Sequence, residues 1–330
     1  MRKIPLGGST MRKSLAAVTI AIFLSSPALA TEYPAHAITF IVPFAAGGPT
    51  DTIARTIAGS MSKSLGQPII IENVAGAGGS VGVGRAVHAS PDGYTLCVGN
   101  WSTHVINGAM YTLRYDLVND LEPIARLPSA QQLIVARKGV PANSLGELVA
   151  WMKGRTTLAG TAGVGSASHI GAVLFQKETG VRIMPVHYRG AAPAMIDLVA
   201  GQIDVMFDQT ANSLPQVRAG AIKAYAVTSP VRLQTAPEIP TVDEAGLPHF
   251  YIEVWHGLWA PKGTPPEIVA KLNAAAQDAL RDRLVRERLT ALGLSFPDPA
   301  DVLPAALAAL QKSEIAKWWP IVKSADIKGE

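Results

Sequence analysis

Short apolar runs alternate with helix-like stretches along most of this 330-residue chain, and this alternation constrains the fold more than any other feature. Most of the apolar runs have the length and composition of β-strands and are followed by a turn rich in small residues. Repeats of this kind are typical of βα units around a largely parallel sheet. The sequence therefore predicts an α/β fold with strands at 38–44, 68–72, 94–99, 157–161, 183–187, 204–207 and 223–228.

Two further strands predict how the chain is divided. A strand at 124–137 connects the first set of βα units to the second, and a strand at 251–260 returns to the first set. The chain should therefore cross twice between two lobes. We expect residues 31–127 and 258–330 to form lobe 1 and residues 128–257 to form an inserted lobe 2. The predicted helices include 145–153, 169–179, 193–200, a long helix from Pro265, and 301–324.

Residues 1–30 carry the three parts of a secretory signal peptide. A basic segment at 11–13 precedes an apolar run at 15–24, and an A-x-A cleavage sequence ends at Ala30. Met11 is a possible initiator beside Met1. Cleavage after Ala30 removes four basic residues and no acidic one, so 25 basic residues then balance 25 acidic ones. We expect an exported, periplasmic protein, and its zero net charge does not indicate nucleic acid or an anionic membrane as a partner.

Few side chains are arranged for catalysis or metal binding. Cys97 is the only cysteine, which excludes an intramolecular disulfide framework and a multi-cysteine metal site. Its apolar neighbours indicate a core residue. The seven histidines lack the H-E-x-x-H spacing of a zinc helix. We therefore expect no metal, no cofactor and no enzymatic activity.

Two local motifs leave alternatives open. Ser166, Ser168 and His169 could supply a nucleophile and a base, as in a secreted hydrolase of small esters or amides, but no G-x-S-x-G sequence is present. We favour a polar loop that caps a helix and keep the hydrolase as the alternative function. Residues 76–82 resemble a dinucleotide-binding loop, but Val81 occupies a glycine position. A tight loop before a small-residue helix is the preferred interpretation.

Small residues fill the connections after five of the predicted strands. In open α/β sheets such connections lie at the carboxyl ends of the strands, where ligands bind. Backbone N–H groups at helix N-termini attract anions there, although each loop taken alone could be only a good helix cap. Together they predict an anion site in a cleft between the lobes. The five loops are 45–51, 99–104, 163–169, 188–192 and 208–210.

Sequence motifs spread over nearly the whole chain after residue 30 point to a known family. They include P-F-A-A-G-G-P-T-D at 43–51, S-P-D-G-Y-T-L at 90–96, Y-R-G at 188–190 and A-P-K-G-T-P at 260–265. In order and spacing they resemble the substrate-binding proteins of tripartite tricarboxylate transporters, the Bug or TctC family of periplasmic solute receptors. The resemblance implies a type II-like two-lobe periplasmic-binding-protein fold with its ligand cleft between the lobes. It also implies a monomer that captures a small organic carboxylate, such as a di- or tricarboxylate or an aromatic acid, and delivers it to a membrane permease.

Carried over residue by residue, the resemblance implies a ligand site built from both lobes. Backbone N–H groups, hydroxyls and waters would hold the carboxylate instead of an arginine, and Asp208 would organise a bridging water. We accordingly expect Arg189 to point out of the cleft. Trp101 could stack on an aromatic ligand, but we favour packing at the lobe edge. The ligand-binding residues would be Phe44, Ala46, Gly47, Gly48, Thr50 and Ser102 from lobe 1, and Gly163, Ser166, Ser168, His169, Tyr188, Gly190 and Asp208 from lobe 2.

The signal peptide predicts the mass of the exported protein. Cleavage after Ala30 should leave a chain that begins at Thr31, because the A-x-A sequence presents small residues to the signal peptidase. Intact-mass measurement of the periplasmic protein checks this. Retention of residues 11–30 would contradict it.

Overall fold

One long strand, β4 (Leu121–Arg137), runs through a sheet that has ten strands in the described part of the chain. The computed structural model describes residues 1–5 and 32–324, so the predicted signal sequence from 11 to 30 lies outside the described residues. The other strands are β1 (Ile38–Val42), β2 (Ile69–Asn73), β3 (Thr95–Asn100), β5 (Thr156–Thr161), β6 (Arg182–His187), β7 (Val205–Gln209), β8 (Ile222–Val227), β9 (Glu253–Pro261) and β10 (Leu294–Ser295).

The sheet is mixed, so the expectation of a largely parallel sheet is wrong. The strand order is β2-β1-β3-β9-β4-β7-β5-β6, with β8 and β10 also paired to β4. β1 pairs in parallel with β2 and β3, and β5 does so with β6 and β7. Between these parallel groups, β9 and β4 are antiparallel to their neighbours. The cause is topological, because β4 leaves the first half of the molecule and β9 returns to it beside β4.

The crossing of β4 lies beside an irregularity in its pairing. β4 pairs with β9 as far as Gln131, with a register shift between Leu127 and Ala130. From Gln132 onward it pairs with β7. The described residues from 33 to 324 belong to one compact unit. The lobe limits at 127/128 and 257/258 stay a prediction. Of the separate unit Met1–Glu32, the described residues 1–5 have no regular secondary structure.

The helices follow the strands as the alternation predicts, with three differences. Residues 208–210 do not form a loop. Asp208 lies in β7, and Thr210 begins a helix that was not predicted. Ser102 lies in a π-helical segment instead of a loop. The helix from 265 is two helices, because the Asp282 side chain accepts the Leu284 N–H at 2.8 Å and caps the second. The helices are α1 (Pro49–Leu65), α2 (Ser80–Val87), α3 (Asn107–Met110), α4 (Leu145–Met152), α5 (Ala167–Thr179), α6 (Ala191–Val199), α7 (Thr210–Arg218), α8 (Pro266–Arg281), α9 (Arg283–Ala291) and α10 (Pro304–Ser324).

Two residues with open interpretations belong to the core. Trp101 is fully buried and meets Trp318 edge to face, with ring centroids 4.7 Å apart, so the packing interpretation is confirmed. Cys97 is buried in β3, and burial raises the pKa of its thiol to about 12. It is a core residue. Among residues 1–5 and 32–324, no helix combines the length and apolar character that crossing a membrane requires.

Two helical glycines test how closely the helices pack on the sheet. A Cβ at Gly82 in α2 would lie 2.6 Å from the Val74 carbonyl oxygen and 2.8 Å from Pro43 Cα. Gly82→Ala should therefore lower the free energy of unfolding by about 1–3 kcal/mol. The matched control is Gly59 in α1, where a Cβ meets nothing within 4 Å, so Gly59→Ala should raise it by about 0.5–1 kcal/mol. Urea denaturation measures both, and effects of the same sign would contradict this packing.

Candidate functional site

One cavity collects residues from both halves of the chain. Seven predicted site residues line it: Phe44, Gly48, Thr50, Ser102, Ser166, Ser168 and Asp208. Eight lining residues were not predicted: Pro49, Asn100, Gln132, Ala162, Ala167, Ala191, Phe207 and Gln209. Most of these eight lie within or beside the predicted loops. Gln132 and Gln209 lie on strands, and the signal that could have found them is a polar amide in an otherwise apolar run.

The N-terminus of α1 forms one wall of this cavity. Pro49 occupies the first helical turn, and no side chain caps the helix among the described residues, so the N–H groups of Thr50 and Asp51 lack a capping acceptor. The Asp51 carboxylate instead accepts the Gly47 N–H and the Arg55 Nε–H, both at 2.9 Å. Burial raises the pKa of Asp51, but these bonds and one from Asn73 outweigh it and lower the pKa. The helix dipole therefore makes this wall attractive to an anion.

Asn100, at the end of β3, orients the hydroxyls of this wall. Its Oδ1 accepts the Ser102 N–H and the Ser102 hydroxyl, at 3.0 and 2.8 Å, and its Nδ2 donates to Thr50 Oγ1 at 3.2 Å. The Ser102 proton is thus used inside the protein, and its Oγ offers only lone pairs to a ligand.

His256 completes this network from β9. Its Nδ1 lies 3.0 Å from the Pro128 carbonyl oxygen, which can only accept, so Nδ1 carries the proton and Nε2 accepts from Thr50 Oγ1 at 3.4 Å. Burial lowers the pKa of His256 to about 4. The ring is therefore neutral at pH 7 and positions the Thr50 hydroxyl.

Ser166 and Ser168 form the opposite wall, at the start of α5. Ser166 Oγ caps the helix by accepting the His169 N–H at 3.4 Å, and Ser168 Oγ accepts the Ala162 N–H at 2.8 Å. The two hydroxyl oxygens lie 3.0 Å apart, so one hydroxyl donates to the other. One hydroxyl proton of the pair is then left for a ligand.

Within the described residues, neither ring nitrogen of His169 is hydrogen-bonded to these serine hydroxyls. Its Nδ1 accepts the Gly165 N–H at 3.1 Å, which leaves Nε2 as the protonated nitrogen of the neutral ring. Burial, with the nearby His187, lowers the pKa of His169 to about 4. The favoured interpretation of a polar capping loop therefore agrees with this geometry, and the nucleophile–base arrangement is not formed.

Asp208 is the buried carboxylate of the cavity, with 2% of its surface exposed. Burial raises its pKa to about 6, even though Ser213 Oγ and Asn212 Nδ2 donate to Oδ2 at 2.6 and 2.8 Å. In the part of the chain that the structure describes, no group of three or more His, Cys, Asp or Glu could hold a metal ion.

The remaining predicted residues lie where the two sides of the cleft meet, not around this cavity. Gly163 and Tyr188 line a larger neighbouring cavity, together with Arg189, and this cavity shares Phe44 and Ala162 with the first. The Tyr188 hydroxyl donates to Asp197 at 2.6 Å, and Arg189 is exposed.

Close backbone approach explains the glycines at this junction. The Ala45 N–H donates to the Arg189 carbonyl at 3.0 Å, and a Cβ at Gly190 would lie 2.9 Å from that same nitrogen. Gly47 has a φ of +81°, and a Cβ there would lie 3.7 Å from Ala192 Cβ. Close approach to Ala45 thus explains Gly190, and the positive φ explains Gly47, where the 44–48 and 188–192 loops meet. Ala46 lies exposed in the first of these loops.

Comparison with known proteins agrees with this fold, which is the two-lobe fold of periplasmic binding proteins. The sequence profile described as the tripartite tricarboxylate transporter family receptor, TctC, matches residues 53–327. The structure of the periplasmic binding protein BugD is 37% identical, with a TM-score of 0.87 over 90% of this chain and 100% of BugD. MatC from Rhodopseudomonas palustris with bound malate is 43% identical, with a TM-score of 0.85 over 88% of this chain and 100% of MatC. Another R. palustris protein, with adipate, is 32% identical, with a TM-score of 0.86 over 90% of this chain and 99% of that chain.

The chain belongs to the TctC family of tripartite tricarboxylate transporter receptors. This is a class of solute-binding receptors, and its members are periplasmic binding proteins. The resemblance found in the sequence motifs is thereby confirmed.

The raised pKa of Asp208 predicts a pH dependence of stability. The pKa is raised from 3.8 to about 6 in the folded protein, so between these values the folded state binds more protons than the unfolded state. The contribution of the protonated Asp208 carboxyl to the free energy of unfolding is complete below about pH 4. It is lost as the pH rises through 6. Asp208→Asn should remove this loss, which amounts to about 2–3 kcal/mol.

Urea denaturation of both proteins at several pH values between 4 and 7 measures this difference. The free energy of unfolding of the wild type should fall relative to that of the variant as the pH rises. Parallel profiles would contradict the assignment.

Proposed function

We propose that this receptor captures a small organic carboxylate in the cavity between its lobes and delivers it to the membrane permease of a tripartite transporter. The observation that carries the proposal is the set of hydrogen-bond donors from two helix starts that line the cavity. The N–H groups at the start of α1 lie on one wall, and the free proton of the Ser166–Ser168 pair lies on the other. Malate and adipate, bound by two structural neighbours, are both dicarboxylates.

The carboxylate is held by dipoles instead of a salt bridge. None of the described residues that line the cavity is a lysine or an arginine. Helix N-termini and hydroxyls can hold an anion without a counter-charge. All thirteen predicted site residues act in this proposal, seven at the cavity and six through the adjoining loops. Asp208 keeps its expected task of organising a bridging water, since a bare carboxylate would repel the ligand.

The same proposal includes the setting in which the receptor works. Cleavage after Ala30 would release a monomer into the periplasm, with lobe 1 formed by 31–127 and 258–330 and lobe 2 by 128–257. The crossing of β4 near its register shift supports the first of these limits, at 127/128. The orientation of His169 argues against the hydrolase alternative, and no other observation favours that alternative.

Calorimetry with malate and adipate tests how the carboxylate is held. Ser168→Ala should weaken binding about ten- to a hundredfold, because a hydrogen bond to a charged group contributes about 1.5–3 kcal/mol. Arg189→Ala tests the alternative of a salt bridge, because this exposed side chain lines the neighbouring cavity and not this one, and its loss should be mild. A larger effect for Arg189→Ala would contradict the dipole mechanism, and no binding of any carboxylate would contradict the proposed function.

A further inference from the structure

Gln132 is the most conspicuous group in the cavity that the capture of a carboxylate does not use. It lies on β4 opposite Gln209 of β7, lines the cavity and has no exposed surface. Its backbone is fully used, because the N–H donates to Thr228 Oγ1 at 3.1 Å and the carbonyl accepts the Thr228 N–H at 2.9 Å. Within the described residues, however, neither Nε2 nor Oε1 of the side chain has a partner.

An unpartnered buried carboxamide indicates a ligand contact. Buried polar groups are nearly always hydrogen-bonded, because leaving them without water or a partner is costly. The amide carries a donor and an acceptor whichever way it is turned. A carboxylate accepts only, so it can satisfy Nε2 and leaves Oε1 without a donor.

Two other groups that line the cavity can also accept a hydrogen bond from a ligand. Gln209 Oε1 is buried and also lacks a partner among the described residues. The Ser102 hydroxyl already donates to Asn100 Oδ1, so its Oγ can only accept from a ligand. The cavity thus holds more acceptors than its own side chains can satisfy.

We infer that Gln132 is a specificity-determining residue that pairs with a hydrogen-bond donor on the ligand, a hydroxyl or an ammonium group beside the bound carboxylate. This rests on the proposed function. The preferred ligand class is then a carboxylate substituted with such a donor, and an unsubstituted dicarboxylate of the same length binds more weakly. The carboxamide forms a hydrogen bond with the substituent, while the N-terminus of α1 and the Ser166–Ser168 pair hold the carboxylate.

Calorimetry with three acids of equal chain length tests the inference on the wild type. Succinate has no donor on the carbon beside its carboxylate, malate adds a hydroxyl, and aspartate adds an ammonium group. Malate or aspartate should bind at least about tenfold more tightly than succinate, and the tighter of the two identifies the donor. If both bind no better than succinate while succinate binds well, the inference is overturned and the proposed function stands.

Two variants assign the preference to Gln132. Gln132→Met, which has a similar volume and no donor or acceptor pair, should reduce the preference for the substituted acid to less than about threefold and leave succinate affinity nearly unchanged. Gln131→Met is the matched control, because the neighbouring residue on a strand faces the other way and Gln131 is not among the residues that line this cavity. It should keep the wild-type preference.

The remaining outcomes also decide the matter. An equal loss for all three acids in Gln132→Met would show a structural role and overturn the inference. If Gln132→Met fails to fold, the affinities of the wild type for the three acids still decide whether a hydrogen-bond donor on the ligand strengthens binding. Absence of binding by all three acids and by adipate would overturn the proposed function itself.

Discussion

The antiparallel pairing of β4 with β9 is the constraint on which the rest of the structure depends. These two strands are the central neighbours in the sheet order, and the parallel groups around β1 and β5 are attached on either side of them. The carboxyl ends of both parallel groups therefore face one cleft. β4 and β9 also contribute directly, because β4 carries Gln132 into the cavity wall and β9 carries His256 behind Thr50. The same backbone that joins the lobes thus builds the site.

Burial explains why the cavity holds an anion without a fixed cation. A lysine or arginine in this wall would have to lose its hydration, and the ligand would repay that cost only with an excellent geometry. Backbone N–H groups at the start of α1 belong to residues that the fold buries in any case, and no side chain of the described residues caps them. A carboxylate that accepts from them satisfies groups that would otherwise be orphaned. Positioned dipoles also lose little freedom on binding, which favours affinity without strong charge.

The fold and half of the site follow from sequence patterns, and the rest depends on tertiary structure. Alternating strands and small-residue loops predicted the two lobes and residues such as Gly48 and Ser168, because these patterns are local. The antiparallel middle of the sheet was missed, since strand direction depends on where the chain returns. Helix α7 was missed because its sequence, with Pro215 inside it, has no clear helical pattern. Gln132 was missed because only the tertiary structure shows that the amide side chain is buried without a hydrogen-bond partner among the described residues.

A ligand that contacts both lobes couples its own binding thermodynamically to the contact between the lobes. The cavity is lined from the first half by Thr50 and from the second by Ser168, and the Ala45–Arg189 backbone bond joins the loops beside it. A ligand stabilises the arrangement in which these walls face each other only as far as it interacts with both. A group that contacts one wall adds affinity without favouring that arrangement. Gln132 lies on the strand that belongs to both halves of the sheet, so a ligand donor that pairs with it connects the carboxylate-binding walls to the crossing strand itself.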